Sequence, residues 1–169
     1  MSGRPRAAAG GGRGRRVLVI DDNAVDLMLY RRIVRRSGHF AEVHAFHYAT
    51  EALDWLEARE APAVDAILLD VNMPRMNGFE FLAAAAERLG PRFDACVVIM
   101  LTTSLDPADV ERAKSFGAVV RGYVNKPLTL EALERVVALV DARCAKRQDA
   151  PGGGFLTIPD GADVAPADR

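Results

Sequence analysis

Five polar side chains stand at the ends of short aliphatic runs in this chain, and their types suit one chemistry. Asp21 and Asp22 follow RVLVI at 16–20, and Asp70 closes a run holding Ile67, Leu68 and Leu69. Thr102 follows ACVVIML at 95–101, and Lys126 follows the run 119–125. Carboxylates crowded together repel one another and raise their own pKa values. A hard divalent cation relieves that repulsion. Magnesium favours six oxygen ligands, commonly one or two carboxylates with waters and a phosphate oxygen. With a hydroxyl and an ammonium alongside, such a site can host phosphoryl transfer. Metal and lysine neutralise the transferring oxygens, and Asp70 is the nucleophile. A plainer reading of Asp70 stands beside this one. Asn72, Pro74, Asn77 and Gly78 make a turn directly after it, which Asp70 could simply cap.

The elements that must position these groups are legible from periodicity. Residues 16–20 read as a short aliphatic strand, and the run before Asp70 as one buried on both faces. Asn23 is placed to start a helix over 24–36, whose Val25, Leu29 and Ile33 share a stripe, and Ser37-Gly38 stops it. Residues 41–46 alternate loosely as a second strand nearer an edge. A helix follows over 48–59 with Ala49, Ala52, Leu53 and Leu56 on one face and Trp55 packing over it. Residues 65–70 form a third strand, and 79–89 a third helix with Leu82 and Ala86 inward, stopped by Gly90-Pro91. Strand four spans 95–101. Asp106-Pro107 then starts a helix with Val110, Ala113 and Phe116 inward, ending at Gly117. Residues 119–125 form strand five. Thr129 caps a last helix carrying Leu130, Leu133, Val137 and Val140.

Strands alternating with helices imply βαβ units, right-handed crossovers and a parallel sheet covered on both faces. The predicted fold is α/β, a (βα)5 doubly wound five-stranded sheet of flavodoxin-like order 2-1-3-4-5. In that order the ends of strands one and three are neighbours, so Asp21, Asp22 and Asp70 converge.

Half of the 169 residues are apolar and the formal net charge is −1, enough for one core and no global pull toward nucleic acid or membrane. The longest wholly apolar run, 95–101, is far too short to span a bilayer. Cys96 reads as a small core residue and Cys144 lies far from it. Neither a disulfide framework nor a zinc site is indicated, and a reducing cytoplasm is the expected compartment. Residues 1–15, rich in Gly and Arg, lack a secretory apolar stretch and read as a disordered tail. Residues 146–169, rich in Pro, Gly and Asp, read the same way. His39, His44 and His47 are too loosely spaced for a metal set and read as surface or packing residues. Asp26, in a first helical turn, suits the helix dipole better than a metal.

Four motifs therefore stand in order, each at a strand end. They are VIDDN at 19–23, LLDVNMPRMNG at 68–78, MLTTS at 100–104 and GYVNKPL at 122–128. Together they resemble the response-regulator receiver (CheY-like) family over residues 16–145. The resemblance implies a single-domain response regulator of a two-component phosphorelay, a phosphoprotein working with Mg2+. Its donor would be a sensor histidine kinase, phytochrome-type kinases included, or a phosphotransfer protein. Asp70 would be the phospho-acceptor. Asp22 would bind magnesium directly, Asp21 mainly through metal-bound water, and Asn72 through its backbone carbonyl. Thr102 would hydrogen-bond the phosphoryl group and Lys126 would pair with it. The Lys126–Pro127 bond would be cis, and Gly78 would permit the backbone path of the loop. Thr102 and Tyr123 would form the switch. On phosphorylation the hydroxyl moves to the phosphoryl group and the aromatic swings inward, changing the surface of the fourth helix, fifth strand and fifth helix.

The resemblance implies only self-catalysed phosphoryl transfer and autodephosphorylation, and no enzyme with external substrates. The stretch after the last helix is too short for a DNA-binding or catalytic output domain, so output would be a changed protein surface. The downstream target and the oligomeric state, monomer or homodimer, stay open. Between Gly117 and Tyr123 the chain reads AVVRG, longer than the family's GASGY pattern, and the extra residues are expected in the loop into strand five. Thr103 is bulky for its place beside the acceptor and is expected to slow access of water to a phosphoryl group. Two other readings remain. An aspartate-nucleophile phosphatase of the haloacid-dehalogenase kind needs an acid two residues after the nucleophile, where Asn72 stands. A degenerate receiver used as a binding module would lack an acid or the lysine, and none is missing.

Overall fold

The computed structural model describes residues 14–146 and 156–158. The elements run β1 (Arg16–Ile20), α1 (Ala24–Ser37), β2 (Glu42–Phe46), α2 (Ala49–Glu57), β3 (Ala66–Asp70) and α3 (Gly78–Leu89). They continue with α4 (Pro91–Asp94), β4 (Val97–Thr102), α5 (Pro107–Lys114), β5 (Val120–Asn125), α6 (Leu130–Lys146) and β6 (Leu156–Ile158). The first five strands stand in the order β2-β1-β3-β4-β5, every neighbouring pair parallel, as the alternation predicts.

Alternate residues of the strands feed two separate cores, which is the period-2 geometry of a sheet covered on both sides. Leu18, Ile20, Ile67, Leu69, Val98 and Met100 pack with Leu53 of α2 and Phe81 and Leu82 of α3. Val17, Val19, Leu68, Ile99 and Leu101 pack with Leu27 and Tyr30 of α1 and Leu133 and Val137 of α6. Helix ends follow local chemistry. Asn23 accepts the Val25 and Asp26 N–H groups, and Gly38 closes α1 at φ 70°. Asn77 and Glu80 form a reciprocal capping box at the start of α3. The Asp106 carboxylate accepts the Ala108 N–H at 2.8 Å.

Several expectations are corrected. Gly90-Pro91 does not simply stop a helix, because Pro91 sits at the first position of α4, a single turn that buries Phe93. On α1 the buried stripe is Leu27, Tyr30 and Val34, while Val25 is 66% exposed and Leu29 also faces outward. Both stripes have helical spacing. The one carrying a tyrosine wins because that ring fills more of the core. On α3 the inward alanine is Ala85, with Ala86 exposed, since a run of four alanines gives periodicity nothing to read. Leu130, at the start of α6, is 39% exposed and does not share the burial of Leu133, Val137 and Val140. The segment 146–169, expected to be wholly disordered, contributes the sixth strand, β6, which lies parallel to β5. Lys146 ends α6, and residues 1–13, 147–155 and 159–169 lie outside the described residues.

The extra length before Tyr123 also falls differently. Val98 pairs with Val120, but the next residue, Ile99, pairs with Gly122, so Arg121 is one residue more than its partner strand supplies. One of the extra residues is thus taken up as a β-bulge inside β5 and not in the loop before it. It reverses the facing of the residues beyond it. Val120 and Tyr123, an odd number apart, therefore share one core, and Val124 joins the other.

Gly78 lies against the back of the Asp70 peptide. A Cβ there would stand 2.7 Å from the Asp70 carbonyl oxygen and 3.1 Å from Val71 Cα. Backbone has little room to yield, so Gly78→Ala is expected to destabilise the chain by about 1–3 kcal/mol, read as a lower urea midpoint. An unchanged midpoint would show that the loop relaxes freely.

Candidate functional site

The polar groups of the motifs meet at the carboxyl edge of the sheet, each held by a backbone bond that extends a strand ladder by one residue. The Asp21 N–H donates to Phe46 O at 3.1 Å, Val71 N–H to Leu101 O at 3.0 Å, and Lys126 N–H to Thr102 O at 2.7 Å. Asp21, 0% exposed, accepts the Asn23 N–H at 2.9 Å and the Lys126 ammonium at 2.5 Å. The same ammonium lies 3.2 Å from Asp70 Oδ1. Asp21, Asp22 and Asp70 each offer one oxygen, all within 4.8 Å of one another. Asp22 is the exposed member and Asp21 and Asp70 are buried. The Lys126–Pro127 peptide bond is cis. Asn72 lies exposed in the turn after Asp70.

One member of the constellation was missed from sequence. Asp26 Oδ2 lies 3.3 Å from the Lys126 ammonium, so its carboxylate belongs to the site as well as to the first turn of α1. The signal was available: Asn23 caps α1, and the third residue after a cap points back toward the strand end. A second unexpected feature is Arg75, in the turn after Asp70. Its backbone is left-handed at φ 70°, and its guanidinium lies 4.2 Å over the Tyr48 ring, tying this turn to the start of α2.

Thr102 and Tyr123, expected to act as a switch pair, are engaged separately. The Thr102 hydroxyl donates to Ser104 O at 2.7 Å and accepts the Ser104 N–H at 3.1 Å. The Tyr123 hydroxyl donates to Asp109 O of α5 at 2.8 Å, with the ring 1% exposed. The aromatic is thus already inside. Of the histidines, His39 and His47 are exposed and His44 stacks on Trp55 at 4.6 Å. The Cys96 thiol is buried and donates to Val64 O at 3.3 Å.

Electrostatics follow from burial. Loss of water, and then the Asp21 charge, push the Asp70 carboxyl up to about 6, against the pull of Lys126. Burial also raises Asp21, opposed by its hydrogen bond from Lys126. Burial acts to lower Lys126, but the bond to Asp21 and the charges of Asp21 and Asp70 outweigh it, so the ammonium is held above its ordinary range. A buried cluster with more acid than base and only oxygen donors on its open side fits a hard divalent cation.

The sequence pattern of the response regulator receiver domain matches residues 17–138, and the chain belongs to that family. It is 32% identical over 119 residues to a chemotaxis protein CheY homologue of Campylobacter jejuni, covering 70% of this chain and 86% of that one. A two-component response regulator from Cytophaga hutchinsonii superposes with TM-score 0.69 at 30% identity, covering 78% of this chain and 99% of that one. The bacteriophytochrome response regulator RtBRR gives TM-score 0.62 at 31% identity, with 75% and 77% coverage. Other curated relatives are far longer, and the chain spans only 7% of one hybrid signal transduction histidine kinase of Dictyostelium discoideum. Among the described residues no helix is long and apolar enough to cross a membrane.

The raised Asp70 pKa carries a sign. Between its ordinary 3.8 and about 6, the folded chain holds a proton that the unfolded chain has lost, so stability falls as pH rises through that window. Above it the full repulsion is present and a bound cation relieves it. Millimolar magnesium is therefore expected to raise Tm clearly at pH 7.5 and much less at pH 5. No shift at pH 7.5, or equal shifts at both, would contradict a cation site at Asp21, Asp22 and Asp70.

Proposed function

We propose that this chain is a phospho-accepting receiver of a two-component relay, with Asp70 as acceptor. The observation that carries this is the Lys126 ammonium, 3.2 Å from Asp70 Oδ1 at the mouth of a three-carboxylate cluster built from two strand ends. An Asp70 carboxylate oxygen attacks the phosphorus of a donor phosphohistidine. The phosphorus–nitrogen bond breaks, the imidazole leaves with its electron pair, and an aspartyl phosphate forms. Magnesium bound at Asp22, Asp70 and the Asn72 carbonyl, with Asp21 acting through water, would neutralise phosphoryl oxygens. Lys126 neutralises another from the opposite side. Asp21, buried and already bonded to Lys126 and the Asn23 N–H, suits the indirect role, and exposed Asp22 suits direct ligation.

Output follows from Thr102. Its hydroxyl must leave Ser104 to reach a phosphoryl group, which pulls on the β4–α5 loop. Tyr123 needs no inward swing, and its bond to Asp109 passes the shift to α5. The product is a changed α5–β5–α6 surface, read by another protein. The donor is best sought among sensor histidine kinases or phosphotransfer proteins, and the likeness to a bacteriophytochrome response regulator supports a phytochrome-type kinase. Val25 and Met28, 66% and 68% exposed at the start of α1, offer that donor an apolar landing beside the acceptor. The receiver is taken to span residues 16–145 and to work in the cytoplasm, where kinase and donor phosphate are found. Nothing favours the haloacid-dehalogenase-like phosphatase, since Asn72 has no acidic proton to donate.

Acetyl phosphate with magnesium is expected to label the parent chain and not Asp70→Asn, and omission of magnesium should abolish labelling. Label surviving in Asp70→Asn would move the acceptor elsewhere. The exposed Thr103 side chain stands next to Thr102 at the site. Thr103→Ala is expected to shorten the phosphoryl lifetime severalfold by admitting water, and an unchanged decay of label would remove Thr103 from that role.

A further inference from the structure

The order β2-β1-β3-β4-β5 leaves β5 with one side unpaired, yet this edge is not bare. β6 runs along it in parallel, Leu156 opposite Gly122, Thr157 opposite Tyr123 and Ile158 opposite Val124. The sequence of β6 suits a strand. Leu-Thr-Ile joins an apolar residue to two β-branched ones, the composition that suits a pleated edge. Pro151 and Gly152, Gly153 and Gly154 precede it and favour neither helix nor strand. Pro159 follows directly and has no N–H with which to extend a ladder. The stretch 147–155 joins α6 to β6, and extended it reaches on the order of 30 Å, ample to return to the same sheet.

An open strand edge is a template for another strand. Main-chain bonds supply the affinity, and alternate side chains supply the selectivity. We propose that the edge of β5 at Gly122–Val124 is a strand-accepting surface for an extended, β-branched segment of a partner protein, held closed by residues 156–158 of this same chain. The cover is built to be displaced. Three residues of ladder offer only a few hydrogen bonds, set against the entropy of ordering a glycine-rich tether. Its position is also informative, because the covered stretch contains Tyr123, whose hydroxyl is bonded to α5. A strand added there touches the same surface that the Thr102 loop would alter. The cover itself does not depend on phosphoryl chemistry, so Asp70→Asn must carry it unchanged.

Thr157→Pro, which removes an N–H and the strand backbone at the centre of β6, tests this in the full-length chain. Hydrogen exchange should quicken by about tenfold or more at the edge-facing amides of Gly122–Val124 and stay unchanged in β1 and β3. A fluorescent synthetic peptide of residues 152–160 is the probe for the vacated edge. It should bind the Thr157→Pro chain about tenfold more tightly than the parent. Equal exchange in the two chains, or equal or absent peptide binding, would overturn the proposal. So would light scattering that finds a dimeric parent and a monomeric Thr157→Pro chain, since the strand would then come from a second copy.

Discussion

One ammonium group shared among three carboxylates is the constraint on which the rest of this structure hangs. Lys126 lies 2.5 Å from Asp21, 3.2 Å from Asp70 and 3.3 Å from Asp26. Buried carboxylates without a partner are costly, and Asp21 and Asp70 are both inside. The lysine comes from β5, the acids from β1, β3 and the first turn of α1. The three strand ends must therefore be level, the helix must start at once after β1, and the chain must turn sharply after Lys126. Asn23 meets the second requirement by capping α1, and the cis Lys126–Pro127 bond accompanies the third. Even so paired, the cluster holds more acid than base.

That excess distinguishes the cluster from a closed ion pair of one lysine and one acid. The exposed carboxylate of Asp22 and the raised Asp70 leave it an acid-rich, oxygen-lined group of the kind a hard divalent ion fits. The Thr102 hydroxyl lies one strand away, satisfied by the Ser104 backbone.

The bulge at Arg121 connects the site to the surface. Without it, Tyr123 would face the α6 side with the α1 helix beyond. With it, the ring enters the core beneath α5, where its hydroxyl reaches Asp109. One inserted residue thus sets which helix the Tyr123 hydroxyl is bonded to. The outer side of the same strand carries β6, so β5 is engaged on one side by β4 and on the other by the returning chain.

Much of this was legible in the residues. Aliphatic runs ending in Asp21, Asp70 and Thr102, with the more mixed run before Lys126, specify parallel strands and put polar groups at one edge, because alternation with helices permits little else. The four strand-end motifs point to the family that the comparison shows. What periodicity could not settle were choices between equivalent patterns. Val25-Leu29-Ile33 and Leu27-Tyr30-Val34 have like spacing, and only packing against Leu68 and Leu133 selects the second. Four consecutive alanines carry no phase, so Ala85 could not be told from Ala86. Asp26 reads as a helix-dipole acid until the lysine from a strand 100 residues away is placed beside it. The bulge and β6 are decided by pairing partners distant in sequence: Ile99 chooses Gly122 over Arg121, and the unpaired edge of β5 gives Leu-Thr-Ile a ladder that its glycine- and proline-rich surroundings conceal. Local sequence sets what each segment prefers. Register, facing and the completion of the lysine's shell depend on contacts that exist only once the sheet has formed.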